Sequence, residues 1–535
     1  MNKKIRKTKY LSLIALTAFA SLNNLNASSK CVTSKDDSTL PSPWPYLSGK
    51  TTGNLGISFN THVKPPFEVA WEILNTTSFG GYAVQSQPTI VGNVLYSANA
   101  QGDIFALDAK TGAQKWITQI PSQLFNTSPS ITADGYLYIA ANIIYALDAA
   151  TGEIKWQTSI SNPNDPREEG GNTVVVEDKV IIGTSSYDTK THAGALIAYN
   201  RFTGEKIWET AFAGGQYLGG SGIWSSPAVD LSRRLVFVGT GEAYGSAQTT
   251  PPTAPSPYTD NFVAVNLDTG KIEWAYSFGH YPLDVWNPAV PSTPGTYDLD
   301  VSGYPVLFSA KVKGKCVDLV GVSSKDGSYR IFTRDQENPN YVQPLTILQL
   351  DPAASIQGVS SRAIAHDGVL YVASTALIGQ QGDRESLDYA LANPSQTLAL
   401  FFNHANIKTL ALDIEKLLAA GNTNGTVPQE AIIWETTTPG MGIENPLTYG
   451  NGYLFQTSIT GWVRVIDAKT GAELWRHTPL PLANPLVLVP TYITGGVTIT
   501  NDMLYVGVGV NAGEGGAALP GGGIVAYKIA SSAKN

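Results

Sequence analysis

The chain has 535 residues, of which 43% are hydrophobic and 15% charged, with a formal net charge of −8. That is enough apolar material for a large core, which excludes a disordered chain, and the acidic balance argues against nucleic acid and anionic lipid as partners. Gly (52), Tyr (25) and Trp (11) abound while Met (3) is scarce, a mix that suits tightly turned strands rather than helices.

The first residues read as a targeting signal. Lys3, Lys4, Arg6, Lys7 and Lys9 form a basic region, Tyr10 to Leu16 a short apolar core, and Ala18-Phe19-Ala20 a small-residue cleavage site, with Ala27 as a second. Residues 1–27 are therefore expected to be a signal peptide, cleaved after Ala20 or Ala27, that sends the chain to the periplasm or outside the cell. The apolar run is too short to cross a bilayer and no later segment is long enough, so no transmembrane segment is expected. Losing five basic residues takes the net charge from −8 to about −13. Two cysteines follow, Cys31 and Cys316. In an oxidising compartment they either pair and tie down the N-terminal segment or stay as two thiols, and spacing alone does not choose. No C-x-x-C-H occurs, so no covalently attached haem is encoded.

From Trp71 onward one phrase recurs. It reads FALDAKTGAQKW at 105–116, YALDAATGEIKW at 145–156, IAYNRFTGEKIW at 197–208, VAVNLDTGKIEW at 263–274 and VRVIDAKTGAELW at 463–475. Weaker copies are VSSKDGSYRIF at 322–332 and a split version from Leu410 to Trp434. An alternating apolar strand ends at Asp or Asn, Thr-Gly or Asp-Gly makes a tight turn with glycine at positive φ, and a second strand ends in Trp. Another strand pair precedes each copy, giving four strands per unit of roughly 40 residues, the arithmetic of a propeller blade. Trp71, Trp116, Trp156, Trp208, Trp274, Phe332, Trp434 and Trp475 mark eight units. One buried Trp per unit removes about 150–250 Å² from water, an upper bound of roughly 4–6 kcal/mol. These aromatics read as core. The expected fold is all-β, an eight-bladed β-propeller with tryptophan-docking repeats. Residues 28–535 form one domain, with the Trp-free strands at 503–510 and 523–529 closing the ring against N-terminal strands.

Three stretches break the period: 243–261, rich in Pro, Ser and Thr; 279–316, between the fifth and sixth units; and 376–427, in which Pro394 to Leu418 has helix-like apolar spacing. Each reads either as a loop that carries function or as a solvated excursion.

The A-x-D-x-x-T-G-x-x-x-W repeat resembles the blades of the quinoprotein alcohol dehydrogenases over nearly the whole mature chain. Residues outside the repeat extend the resemblance. VIIGTSSYDTKTHAGALIAYN puts Asp188 at a metal-binding acid and Ser185 at a cofactor contact; GIWSSPAVDLSRRLVFVGTGEAY puts Trp224 at the cofactor floor and Glu242 where the family has Asn. PLDVWN matches the family's Trp with Trp286 and an earlier acid with Asp284, but places Asn287 where the catalytic Asp stands. SSKDG supplies Lys325 for the basic residue that contacts the quinone. The resemblance implies the cofactors pyrroloquinoline quinone (PQQ) and Ca²⁺. The metal set would be Asp188, Glu242 and Asp284, the cofactor set Trp224, Lys325, Ser185 and Trp286, and the reacting pair Asp284 and Asn287. It also implies a small-molecule or polymeric alcohol as substrate and an external periplasmic cytochrome c as electron acceptor. A planar polyanion needs a flat aromatic face, a cation and directed donors, and hard carboxylates suit Ca²⁺. The missing vicinal cysteines and the altered acids are similar to the polyvinyl-alcohol dehydrogenase branch, which acts on secondary alcohols. Read structurally, Trp224 packs a core, Lys325 decorates a surface turn, and the carboxylates are solvated. The ring would then be a non-catalytic scaffold for protein partners, since the same repeat occurs in the outer-membrane assembly scaffold.

Overall fold

The computed structural model describes residues 31, 43–44, 52–58, 61–74, 83–122, 124, 127–160, 168–170, 172–186, 193–213, 217–241, 243–245, 257–279, 299–339, 341–350, 362–377, 405–421, 425–440, 446–479, 493–511 and 518–531. Cys31–Asn535 is one compact unit. Among the described residues, eight sheets each hold four antiparallel strands, four of them edged by one further short strand, beside a two-stranded ribbon. Blade 1 joins the two ends of the ring. Its strands Thr498–Ile499, Met503–Asn511 and Ala518–Ile529 are completed by Phe67–Leu74, which runs antiparallel to Ala518–Ile529. Blades 2 to 8 begin at Thr89, Ser130, Val174, Ala228, Val306, Ile364 and Thr448. The ring thus closes as the Trp-free strands implied.

First strands of neighbouring blades adjoin and are buried, while fourth strands such as Gln114–Gln119 alternate between buried and exposed residues. The first strands therefore line the axis. The recurrent phrase places its Trp on the fourth strand, where it docks on the next blade. Trp116 Nε1 donates to the Ala149 carbonyl at 3.0 Å, Trp156 to Arg201 at 2.9 Å, Trp208 to Leu267 at 3.0 Å and Trp434 to Ala468 at 3.0 Å. Trp475 donates to Phe67 at 3.0 Å and Trp71 to Ala109 at 2.9 Å, which carries the docking through the closure. The Thr-Gly turn receives the indole. Gly152 has φ +77°, and a Cβ there would stand 2.6 Å from Trp116 Cε3. The preceding Asp148 holds the turn, its Oδ1 accepting from the Ala150 and Thr151 amides at 3.0 and 3.1 Å.

The sixth blade departs from the expected repeat. The KDG of 325–327 lies between the second and third strands, Lys315–Ser323 and Ser328–Thr333, not between the third and fourth. Phe332 is consequently on the third strand, and Thr346 of Pro344–Gln349 takes the position that Trp holds elsewhere. The same Asp-Gly chemistry serves either turn, which is why the pattern is ambiguous. Where blade 6 offers no indole, blade 7 replaces its tight turn with the helix Ile414–Ala420. Asp413 caps that helix and Leu417 buries into the core formed with Leu348. The helix-like spacing of 394–418 is realised only there, since Ala405–Asp413 is the third strand of blade 7; 394–404 lie outside the described residues. Likewise 279–316 contains the first strand of blade 6, Val306–Val312, and 243–261 contains the short strand Ala243–Gly245.

An N-terminal segment lies along the first strands. Pro43–Trp44 pairs with Thr89–Val91 of blade 2. Val229 of blade 5 donates to Thr52 O at 2.9 Å and Leu307 of blade 6 to Gly53 O at 2.9 Å. The buried Asn54 amide reaches the carbonyls of Ser226, Pro227 and Pro305 at 2.9, 3.2 and 3.0 Å. Ile57–Ser58 adds a parallel strand to Thr448–Gly450 of blade 8, and Thr61 donates to Thr500 O of blade 1 at 2.7 Å. Cys31 and Cys316 form a disulfide, so of the two readings of these cysteines the paired one holds.

Candidate active site

Two kinds of connection bring chemistry to one end of the axis. At the step from second to third strand, blades 4, 5 and 6 present Ser185, Gly241 and Lys325. Just ahead of the first strands, blades 5 and 6 present Trp224 and Asp300. Each neighbour touches the next. Ile223 N donates to Thr184 O at 2.9 Å, and a Cβ on Gly222 would lie 2.5 Å from Ser185 Oγ. Gly241 N donates to Gly222 O at 3.0 Å, and the α-carbon of Gly241 faces Asp300 Oδ1 so closely that no side chain fits between them. The two glycines let three blades meet at backbone distance.

At the far side of this arc Lys325 Nζ donates to Asp300 Oδ2 at 2.7 Å, with both side chains buried, 7% and 6% exposed. A charged pair taken this far from water needs good geometry, and the two loops that carry it are tied together. Lys325 N donates to Asp300 O at 3.0 Å, Ser324 Oγ to Leu299 O at 2.7 Å, Val301 N to Thr240 O at 3.2 Å and Gly303 N to Ser323 O at 3.0 Å. The ammonium also lies 4.7 Å from the centroid of the Trp224 ring, within cation–π range. Trp224 is only partly buried, between neighbours that are fully so. A half-open indole face beside a buried cation and a rigidly held carboxylate suits a flat, electron-rich or anionic molecule, with a carboxylate in reach to exchange a proton. Two short ribbons adjoin this end of the axis: Glu168–Gly170 pairs with Thr184–Ser186 of blade 4, and Tyr217–Gly220 pairs with Ala243–Gly245.

Three residues singled out in the sequence, Ser185, Trp224 and Lys325, are thus brought into one arc. Lys325 is not a surface turn residue, because its turn faces the axis. Asp188, Glu242, Asp284, Trp286 and Asn287 lie outside the described residues. Among the described residues no three His, Cys, Asp or Glu side chains gather to hold a metal ion. Asp300 escaped the sequence reading, which took 279–316 as one interruption and looked for the acid at 284–287. The available signal was the D-L-D of 298–300, just ahead of the apolar run Val306–Val312.

Comparison with known proteins bears on the ring that carries these residues. A family model described as the outer membrane protein assembly factor BamB matches residues 68–288. Polyvinylalcohol dehydrogenase of a Sphingopyxis species is 24% identical over 449 residues, 77% of this chain and 62% of that protein. Quinoprotein glucose dehydrogenase A of Acinetobacter calcoaceticus is 23% identical over 377 residues, 57% of this chain and 44% of that protein. The solved structure of quinohemoprotein alcohol dehydrogenase ADHIIG from Pseudomonas putida superposes with a TM-score of 0.67 at 18% identity, covering 92% of this chain and 80% of that one. The chain is similar to PQQ-type propeller proteins over most of its length. Its eight-bladed ring is the fold of the quinoprotein alcohol dehydrogenases. The chain spans 62% and 44% of the lengths of the two dehydrogenases named first.

Proposed function

We propose that this PQQ-type propeller is a quinoprotein alcohol dehydrogenase of the periplasm, which oxidises a secondary or polymeric alcohol and passes electrons to an external cytochrome c. The observation that carries the reading is the buried Lys325–Asp300 pair set against the face of Trp224. These residues fit a planar polyanionic quinone: Trp224 gives the stacking face, Lys325 the counter-charge and Ser185 a hydroxyl. Once bound, PQQ would supply a two-electron acceptor for the substrate hydride; Asp188, Glu242 and Asp284, which lie outside the described residues, are the acids that would hold Ca²⁺ as a Lewis acid. Asp300 is the group to take the hydroxyl proton, a role first assigned to Asp284. Lys325 orients its carboxylate, and the hydrogen bonds from Ser324 and to Thr240 hold the loop that carries it. The Cys31–Cys316 disulfide supports an oxidising compartment.

The test is to add PQQ and Ca²⁺ to the purified protein and follow quinone absorbance and dye reduction with primary, secondary and polymeric alcohols. Trp224→Ala is expected to lose PQQ retention with its circular dichroism unchanged. Asp300→Asn is expected to keep PQQ and lose about 10²–10⁴-fold in turnover. Failure to take up quinone would sink the enzyme reading and leave the partner-binding scaffold, which the BamB-type match favours.

A further inference from the structure

A third charge stands beside the buried pair. Asp326 follows Lys325 directly, and the turn fixes it there. Its Oδ1 accepts from Ser328 N at 2.8 Å and its carbonyl accepts from Gln349 Nε2 at 2.6 Å. This puts a second carboxylate next in the chain to Lys325. Arg330 answers that charge. Its Nη2 lies 3.2 Å from Asp326 Oδ2, with the two side chains 9% and 17% exposed, and its guanidinium lies 3.6 Å from the centroid of Phe278.

The fold itself does not ask for an arginine here. On the third strand of each blade, the residue before the one facing the fourth-strand docking position is Phe105, Tyr145, Ile197, Val263 or Leu410 in blades 2, 3, 4, 5 and 7. In blade 6 the same position is Arg330. Apolar side chains fill this place in those five blades and, as Val525, in blade 1, while blades 6 and 8 carry an arginine there, each paired with an acid. (Blade 8 has Arg464 there, which serves its own buried partners Gln456 and Thr409.)

We propose that Arg330 is a positioning residue: it cancels the charge of Asp326 and so reserves Lys325 for Asp300. The proposal rests on reading Asp300 and Lys325 as the reacting site. Removing the guanidinium leaves a net negative turn, which pulls Lys325 toward Asp326 and raises the proton affinity of both Lys325 and Asp300. Neutralising Asp326 at the same time removes the competitor and restores the pair.

The experiment compares wild type, Arg330→Leu and the double variant Asp326→Asn/Arg330→Leu. The first readout needs no cofactor: the ¹⁵N signal of the Lys325 ammonium in lysine-labelled protein, identified by its loss in Lys325→Met. It is expected to move and titrate higher in Arg330→Leu and to return in the double variant. The second readout is the pH profile of alcohol oxidation with PQQ and Ca²⁺, whose acid limb is expected to rise by about one pH unit in Arg330→Leu and to return likewise. A Lys325 signal that is the same in Arg330→Leu as in wild type, or one the double variant fails to restore, overturns the proposal. No oxidation by any variant, with the Lys325 shift intact, overturns the dehydrogenase reading alone.

Discussion

Replacing Gly152 by Ala tests whether each blade is locked by an indole seated on the next blade's turn. Two glycines of blade 3 make a matched pair. Gly135 has φ +86° with nothing within 4 Å of a built Cβ, and Gly152 has φ +77° with Trp116 Cε3 at 2.6 Å and Thr118 Oγ1 at 2.7 Å. Both substitutions carry the left-handed penalty of an L-residue, about 1–2 kcal/mol. Gly152→Ala must also push back an indole that cannot easily retreat, since its Nε1 is tied to Ala149 O and Thr118 Oγ1 is tied to Gly152 O. Overpacking of this kind costs about 1–3 kcal/mol more, so Gly152→Ala is expected to cost roughly 2–5 kcal/mol against 1–2 for Gly135→Ala. In a Trp116→Ala background, itself about 3–5 kcal/mol down, the excess should shrink to what the Thr118 hydroxyl alone imposes. Equilibrium urea unfolding of the four variants measures it. Equal costs for the two glycine substitutions, or an excess undiminished by removing Trp116, would refute the docking argument.

Lys325→Met leaves the Asp300 carboxylate buried without its ammonium and should lower stability by about 3–5 kcal/mol in urea, with Asp300→Asn/Lys325→Met recovering much of it. Asp230 pairs with Arg233 of its own blade at 3.0 Å and with Arg334 of blade 6, and Arg233 reaches Asp318 of blade 6 at 2.8 Å. Burial alone would raise the pKa of Asp230, but Arg334, the Ser232 hydroxyl and Arg233 outweigh this and hold the carboxyl below its ordinary value. Because the folded value is depressed, the stabilisation is present above about pH 4 and is lost as pH falls through the folded value. Asp230→Asn should thus flatten the acid limb of a stability–pH curve, and an unchanged limb counts against it. The disulfide closes a separation of 285 residues, an upper bound of about 5–6 kcal/mol from unfolded-chain entropy. Wild type should lose stability under reductant and Cys316→Ser should not respond; a wild-type urea midpoint indifferent to reductant would contradict this.

The blade phrase was legible because its parts are local. Asp148, Thr151 and Gly152 form a turn from their own chemistry, and Trp156 follows at a fixed spacing. Blade 6 was misread by one strand because Asp326-Gly327 makes a turn as good as Thr-Gly, and only the pairing of Ile331 with Thr346 shows which turn it is. Trp224 was legible because it lies outside the repeat, and Lys325 because SSKDG resembles the family's basic motif. Asp300 was not, since a single acid in a long connection gains meaning only when Thr240 and Ser324 fold that connection against Lys325. The spacing of Leu410 and its neighbours suggested a helix, yet Ala405–Asp413 pairs on both edges, and the hydrogen bonds of the sheet override local preference.

Blade 1 is shared between residues 67–74 and 498–529, and that division dictates the order of assembly. A polypeptide emerging from its N-terminus can stack blades 2 to 8 as they arrive, but the ring stays an open horseshoe until Ala518–Ile529 is released. Through that interval Phe67–Leu74 waits without its partner strand, and the fourth strand of blade 8 has no neighbour for Trp475. The cell must therefore shelter two bare strand rims until the final stretch of chain appears. A messenger truncated shortly before residue 518 would yield a product whose rims match those of its own copies, and chains of such horseshoes are its natural fate.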